Sequence, residues 1–346
     1  MNFRTEIESS DDLWRYIDTQ HEGRFFQNLS LLGGGLTESE FQLFQKAVDI
    51  CARFTKSINK ELIPINALTR SLISYRAIKD FYQSLNKIPS VLEIGPGSGY
   101  LGLLCGISGW RYSSVDVTKS LVCYQNSLWS YAGFKVKFAE YGINYQDSDF
   151  LQIPWWVWAD LKISLPEREI VAANHIIQEM TPFSLSFSIK RSKEIGAQYI
   201  TAEGLGHANY INNLNIIIKN TDLIHNNPIN NRYQSVWFWK LKDHVTTIPV
   251  DFDLPLVKTA FQKIKQYLIN FILKYKFIRK LYGNINRLKS QKVFRDNTRE
   301  IQDKSLRQPN VVFNYTDIID FIQSKKVPFV SDDELAMKWA NHKGHI

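Results

Sequence analysis

Two histidines stand four residues from a carboxylate, each just behind an apolar run: His175 with Glu179 in "AANHIIQEM", and His207 with Glu203 in "TAEGLGH". An imidazole steered by a carboxylate can take a proton from a hydroxyl near neutral pH. If "HIIQEM" turns into helix, His175 and Glu179 share a face, so Glu179 would fix the tautomer while His175 accepts the proton. The plain alternative is that His175 packs and Glu179 caps or salt-bridges. His207 and Glu203 flank a turn and can touch the hydroxyls of an acceptor; a loop histidine of this kind can equally be just solvated.

A second constellation points to a ligand for that chemistry. Residues 91–102, "VLEIGPGSGYLG", hold Gly95, Gly97, Gly99 and Gly102 directly after an apolar run. Such a turn lets backbone approach a ligand and aims the amides of the next helix at it. It parses two ways. Gly97, Gly99 and Gly102 spell the G-x-G-x-x-G dinucleotide fingerprint, with Asp116 as the acid about 20 residues on. Alternatively, Glu93, Gly95, Gly97 and Gly99 spell acid-x-G-x-G-x-G, with Asp116 closing the next strand. The register favours the second parse, because Gly95 follows "VLEI" immediately and makes the first turn. Glu93, among the last strand residues, would crowd a pyrophosphate but can face an ammonium or a ribose.

The elements that must position these groups follow from periodicity. The first stretch, 1–88, reads as helices: "SDDLWRYIDTQ", then "TESEFQLFQKAVDICARF" with Thr37 as N-cap and Glu40 three residues later, then "NALTRSLISYRAIKDFYQSL". Residues 89–253 alternate strand and helix. "SVLEI", "RYSSVDV", "FKVKFAEY", "EIVAANH" and "AQYITAEG" read as strands, and "GYLGLLCGI", "KSLVCYQNSLWSYAG" and "FSLSFSIKRSKEIG" read as helices between them. That alternation implies a doubly wound, mostly parallel α/β sheet. "RYQSVWFWKL" and "HVTTIPVDF" complete seven strands as an antiparallel pair, and the Asn-rich "KNTDLIHNNPINN" reads as a loop. In "PWWVWADL", Trp155, Trp156 and Trp158 can stack on a ring-shaped ligand or fill core. Strand-like alternation would send Trp156 and Trp158 one way and Trp155 the other.

Residues 254–346 form a basic, mainly helical extension. Between 254 and 295 there are eleven Lys and Arg and no Asp or Glu, so much of the formal net charge of +8 is local. The amphipathic segment 258–282 can cover its own domain, lie on an anionic membrane, or meet a nucleic-acid backbone, the last being the weakest expectation. The three cysteines match no zinc or redox spacing. The polar, acidic N-terminus carries no secretory pattern, and no run approaches the ~18–20 apolar residues of a membrane span. The expected location is cytoplasmic, with the inner face of the membrane as its peripheral variant. Asp147 and Asp149 read as polar loop, and no metal site is expected.

"VLEIGPGSG" and "SSVDV" resemble the first two motifs of class I S-adenosylmethionine-dependent methyltransferases, over roughly residues 89–205. The resemblance implies that Gly95, Pro96, Gly97, Ser98 and Gly99 border the methionine and ribose of S-adenosylmethionine, with Glu93 as electrostatic support. It further implies that Asp116 accepts the ribose hydroxyls, that Val117 lies beside the adenine, and that Asn174 is near the methionine moiety. "ANHIIQEM" and "IPWWVW" are similar to segments of bacterial proteins assigned as sugar O-methyltransferases. The expected partner is then a saccharide or lipid-linked glycan whose hydroxyl is methylated, with His175 as base. Methylation of RNA or another anionic substrate, and a silent cofactor-binding scaffold, stand as the alternatives.

Overall fold

Thr37 starts the first helix as its sequence predicts. Its hydroxyl accepts from the Glu40 amide at 3.2 Å, and the Glu40 carboxylate returns a bond to the Thr37 amide at 3.0 Å. This capping box opens α1 (Glu38–Ser57) and is worth about 1 kcal/mol. The second helix, α2 (Ile65–Gln83), is tied to the first by Lys79, whose ammonium lies 3.1 Å from Glu40. The computed structural model describes residues 36–58, 65–140, 145, 148–177, 179–203, 210–226 and 236–245. Expectations for "SDDLWRYIDTQ", His207, the basic segment 258–282 and nearly all of "HVTTIPVDF" lie outside them. The described residues belong to one compact unit.

The α/β part runs β1 (Ser90–Ile94), α3 (Tyr100–Ile107), β2 (Arg111–Asp116), α4 (Lys119–Tyr131), β3 (Val136–Phe138), β4 (Phe150–Pro154), α5 (Trp155–Ala159), β5 (Ile170–Ala172), α6 (Pro182–Glu194), β6 (Tyr199–Glu203), α7 (Tyr210–Asn220), β7 (Thr221–Asn226) and β8 (Val236–Leu241). The strand order is β3-β4-β2-β1-β5-β6-β8-β7. The first six strands are parallel, and β8 runs antiparallel between β6 and β7. From β1 the chain winds outward through β2 to β4, then crosses back to β5 on the other side. The switch point therefore lies at the carboxyl ends of β1 and β5, where open α/β sheets place their ligands.

Two apolar layers sandwich the sheet, as parallel strands require. On one face Phe44, Leu72 and Phe81 of α1 and α2 join Leu103, Trp129, Tyr112 and Phe238. On the other, Leu92, Ile153, Val171 and Trp239 pack against Leu185 and Ile189 of α6 and Ile217 of α7. The N-terminal helices thus supply part of the sheet's own core. Cys51 and Cys105 are buried in the first layer as free thiols.

The sheet differs from the expected seven strands in three places. β4 forms just before the tryptophans, in a stretch not counted among the expected strands, and all five of its residues are buried. Its polar member hid it: Gln152 is fully buried, yet donates 2.7 Å to the side-chain oxygen of Gln125. The strand read from "FKVKFAEY" shrinks to β3 at the sheet edge. The outer antiparallel partner of β8 is β7, "TDLIHN", from the segment read as a loop on its asparagines.

Candidate functional site

Gly95 leaves β1 at once, as the acid-x-G-x-G-x-G parse requires. Its φ of +65° is left-handed, and a Cβ there would stand 2.7 Å from the Ile176 side chain. Backbone conformation and crowding therefore both demand glycine. Gly99, at φ +77°, is the N-cap of α3, and its carbonyl accepts from the Trp129 indole at 2.9 Å. Gly102, the extra glycine of the dinucleotide parse, lies inside α3, where a Cβ would meet Trp129 and Tyr112 at 2.7–2.8 Å. Its role is close packing of helix on sheet.

Behind the loop, two carboxylates end adjacent strands. Glu93 is 3% exposed and accepts from the Tyr112 hydroxyl at 2.6 Å and, more weakly, from Asn174 Nδ2 at 3.5 Å. Burial pushes its pKa up to about 7 against the opposing pull of these two donors. Asp116 at the end of β2 takes the Thr118 amide on one oxygen and Gln125 Nε2 on the other, both at 2.9 Å. Burial raises its pKa as well, opposed by those donors. The same Gln125 nitrogen donates 2.6 Å to the Gly97 carbonyl, locking carboxylate and loop together.

The third group gathers at the ends of β5 and β6. Asn174 Oδ1 accepts from the Ser74 hydroxyl of α2 at 3.0 Å and from the Glu203 amide at 3.1 Å. His175 has a left-handed φ of +55°, and its amide donates 2.9 Å to the Glu203 carbonyl. A non-glycine residue held in that region is strained, and such strain clusters at functional sites. Its Nε2 meets the buried Glu203 carboxylate and lies 2.7 Å from Arg70 Nη1.

The helix expected over "HIIQEM" does not form. Residues 174–177 make a turn, and α6 starts only at Pro182 behind the Thr181 cap. With its left-handed backbone His175 is not itself a helical residue, so the face shared with Glu179 is lost. The carboxylate against the imidazole is Glu203, and Glu179 is an exposed residue of the cavity wall.

All three groups open into one cavity of about 830 Å³. Glu93, Gly95, Pro96, Gly97, Ser98, Asp116, Val117, Asn174, His175 and Glu179 all line it, whereas Gly99 stays behind the loop. Trp155 and Trp158 reach the cavity and Trp156 does not, contrary to the expected alternation, because α5 is helical and brings positions three apart to one side. Sequence reasoning missed Arg70, Tyr112, Gln125 and Gln152. None carries a local signal, since each acts on a group at least nine residues away in the chain.

No family model matches the chain, and no curated protein matches it. Similar solved structures include the bifunctional kinase-methyltransferase WbdD, at 12% identity and TM-score 0.34, covering 51% of this chain and 40% of that one. The chain thus spans about two fifths of WbdD. The magnesium protoporphyrin IX methyltransferase ChlM from Synechocystis PCC 6803 with bound SAM aligns over 68% of this chain and 98% of its own, at 8% identity and TM-score 0.35. An O-methyltransferase from Bacillus cereus in complex with SAH aligns over 57% and 100%, at 8% identity and TM-score 0.35. Likenesses this distant assign no chemistry, which has to come from the site itself.

Proposed function

We propose that the protein is an S-adenosylmethionine-dependent O-methyltransferase that methylates a hydroxyl of a saccharide, with His175 as general base. The observation that carries this reading is the single cavity joining the Gly95–Ser98 loop, the Asp116 carboxylate and the His175–Glu203 pair at the sheet's switch point.

The residues present fit the cofactor. The Asp116 carboxylate is held by the Thr118 amide and by Gln125 and lines the cavity, an acceptor suited to the two ribose hydroxyls. Val117, 76% exposed, offers an apolar surface for the adenine. Glu93 lies in the cavity wall one strand away, an acid suited to the ammonium of the amino-acid moiety. When bound, the cofactor supplies an electrophilic methyl group on a sulfonium. His175 takes the proton of the attacking hydroxyl, and Glu203 steadies the imidazolium that results. Asn174, fixed by Ser74 and the Glu203 amide, holds the turn that presents the histidine.

The saccharide is read as a surface-polysaccharide or glycolipid precursor, which would give the basic segment 258–282 an anionic membrane to meet. Among the described residues no helix is long and apolar enough to cross a membrane. Calorimetry tests the cofactor: S-adenosylhomocysteine binds and NAD does not. Asp116→Ala lowers that affinity by about 30- to 100-fold, the loss of two charge-assisted hydrogen bonds. Binding of NAD in place of the nucleoside thioether would overturn the reading.

A further inference from the structure

Arg70 stands in the cavity wall with no direct ion pair among the described residues; the Glu203 carboxylate meets it only across the His175 Nε2 that both contact. It comes from α2, and the described lining contains no other Arg or Lys. Its Nη1 points at a ring nitrogen of His175, its Nε–H is buried without an acceptor, and no described carboxylate forms an ion pair with it. A guanidinium stays protonated at any working pH and presents a planar fork that matches a carboxylate or a phosphate. Glu93, Asp116, Glu179 and Glu203 line the same cavity, so an arriving oxyanion is held only where it reaches this guanidinium directly.

We propose that Arg70 recognises an oxyanion on the methyl acceptor, so that the substrate is an acidic saccharide, carrying a carboxylate or a phosphate, and not a neutral one. This rests on the methyltransferase reading above and names the acceptor class of that same site.

The histidine gives the contact a second consequence. Arg70 can only donate, so its contact needs the Nε2 lone pair and leaves the imidazole proton on Nδ1. An ionised Glu203 can only accept, so its contact needs Nε2–H and leaves the Nδ1 lone pair open. One nitrogen cannot serve both at once. Nδ1 makes no hydrogen bond to a described residue and is the nitrogen left for the acceptor hydroxyl. An oxyanion that draws Arg70 into a two-pronged pair frees Nε2; the imidazole then loses its Nδ1 proton to solvent and takes one up on Nε2, so that Nε2–H donates to Glu203 and the Nδ1 lone pair is left as the base. The group that binds the correct acceptor thus also arms His175.

The full chain, saturated with S-adenosylhomocysteine, is titrated by calorimetry at low ionic strength with D-glucuronate, glucose 1-phosphate and D-glucose. At least one charged sugar binds tenfold or more tightly than glucose, and which one does so separates carboxylate from phosphate. Arg70→Met brings the charged sugars to the level of glucose, and Arg70→Lys keeps part of the preference. Equal binding of all three sugars, no measurable binding of either charged sugar, or a preference that survives in Arg70→Met overturns the proposal. Undiminished S-adenosylhomocysteine binding by both variants shows that the fold is intact. Failure of the wild type to bind that nucleoside sinks the methyltransferase reading instead, and the sugar titrations without it still decide the role of Arg70.

Discussion

Replacing Glu93 by Gln should stabilise the ligand-free protein above neutral pH and not below pH 5. The Glu93 carboxyl is 3% exposed, and its pKa lies at about 7 where 4.5 is ordinary. A raised carboxyl pKa means that the fold prefers the protonated form. The associated stability is fully present below about pH 4.5 and is lost as the pH climbs to about 7. The gap between 4.5 and about 7 converts to about 3 kcal/mol lost at pH 8. Gln keeps the bond from Tyr112 but turns an amide toward Asn174, which costs about 1 kcal/mol. A net gain of about 2 kcal/mol remains at pH 8, or roughly 3 °C in Tm for a chain of 346 residues. Near pH 4.5 the gain is gone, and the variant falls about 1 kcal/mol below the wild type. Thermal melts of both proteins from pH 4.5 to 8.5, without nucleoside, should therefore cross. Parallel curves, or a variant weaker at pH 8, would refute burial as the cause. A bound ammonium inverts the preference, so the same variant should hold S-adenosylhomocysteine less tightly.

Three further substitutions, two of them paired with a control, probe the base and the loop. His175→Ala should leave S-adenosylhomocysteine affinity unchanged while lowering turnover on the true acceptor by about 10²- to 10⁴-fold, and retained turnover rejects His175 as base. Glu203→Gln should lower turnover where Glu179→Gln does not, since Glu203 alone of the two meets the imidazole; equal effects in rate assays would return Glu179 to the mechanism. Gly95→Ala should cost about 2–3 kcal/mol in chemical denaturation, from its left-handed backbone and the Ile176 side chain 2.7 Å away. Gly133→Ala, at φ +85° with open space around it, is the control and should cost about 1 kcal/mol.

Features that depend on neighbours along the chain were legible from the residues alone. The Thr37–Glu40 capping box, the helices α1 to α4 and α6, the core strands β1, β2, β5 and β6, and the glycine turn all rest on periodicity or on backbone conformation that a few adjacent residues dictate. The sequence alone also brought Glu93, Asp116, Asn174 and His175 to the carboxyl edge of the sheet, because strand ends share one edge whenever the strands are parallel. Tertiary structure decided the rest. Whether Gln152 belongs to a core strand depends on Gln125, 27 residues away, accepting from its side-chain nitrogen. Whether "TDLIHN" is loop or strand depends on β8 lying beside it. The partner of His175 changed from Glu179 to Glu203 because one left-handed backbone turn redirected the imidazole, and Arg70 reached it across 105 residues. Local sequence determines which way a chain turns; which side chains then meet depends on how distant layers pack, and no short-range pattern encodes that.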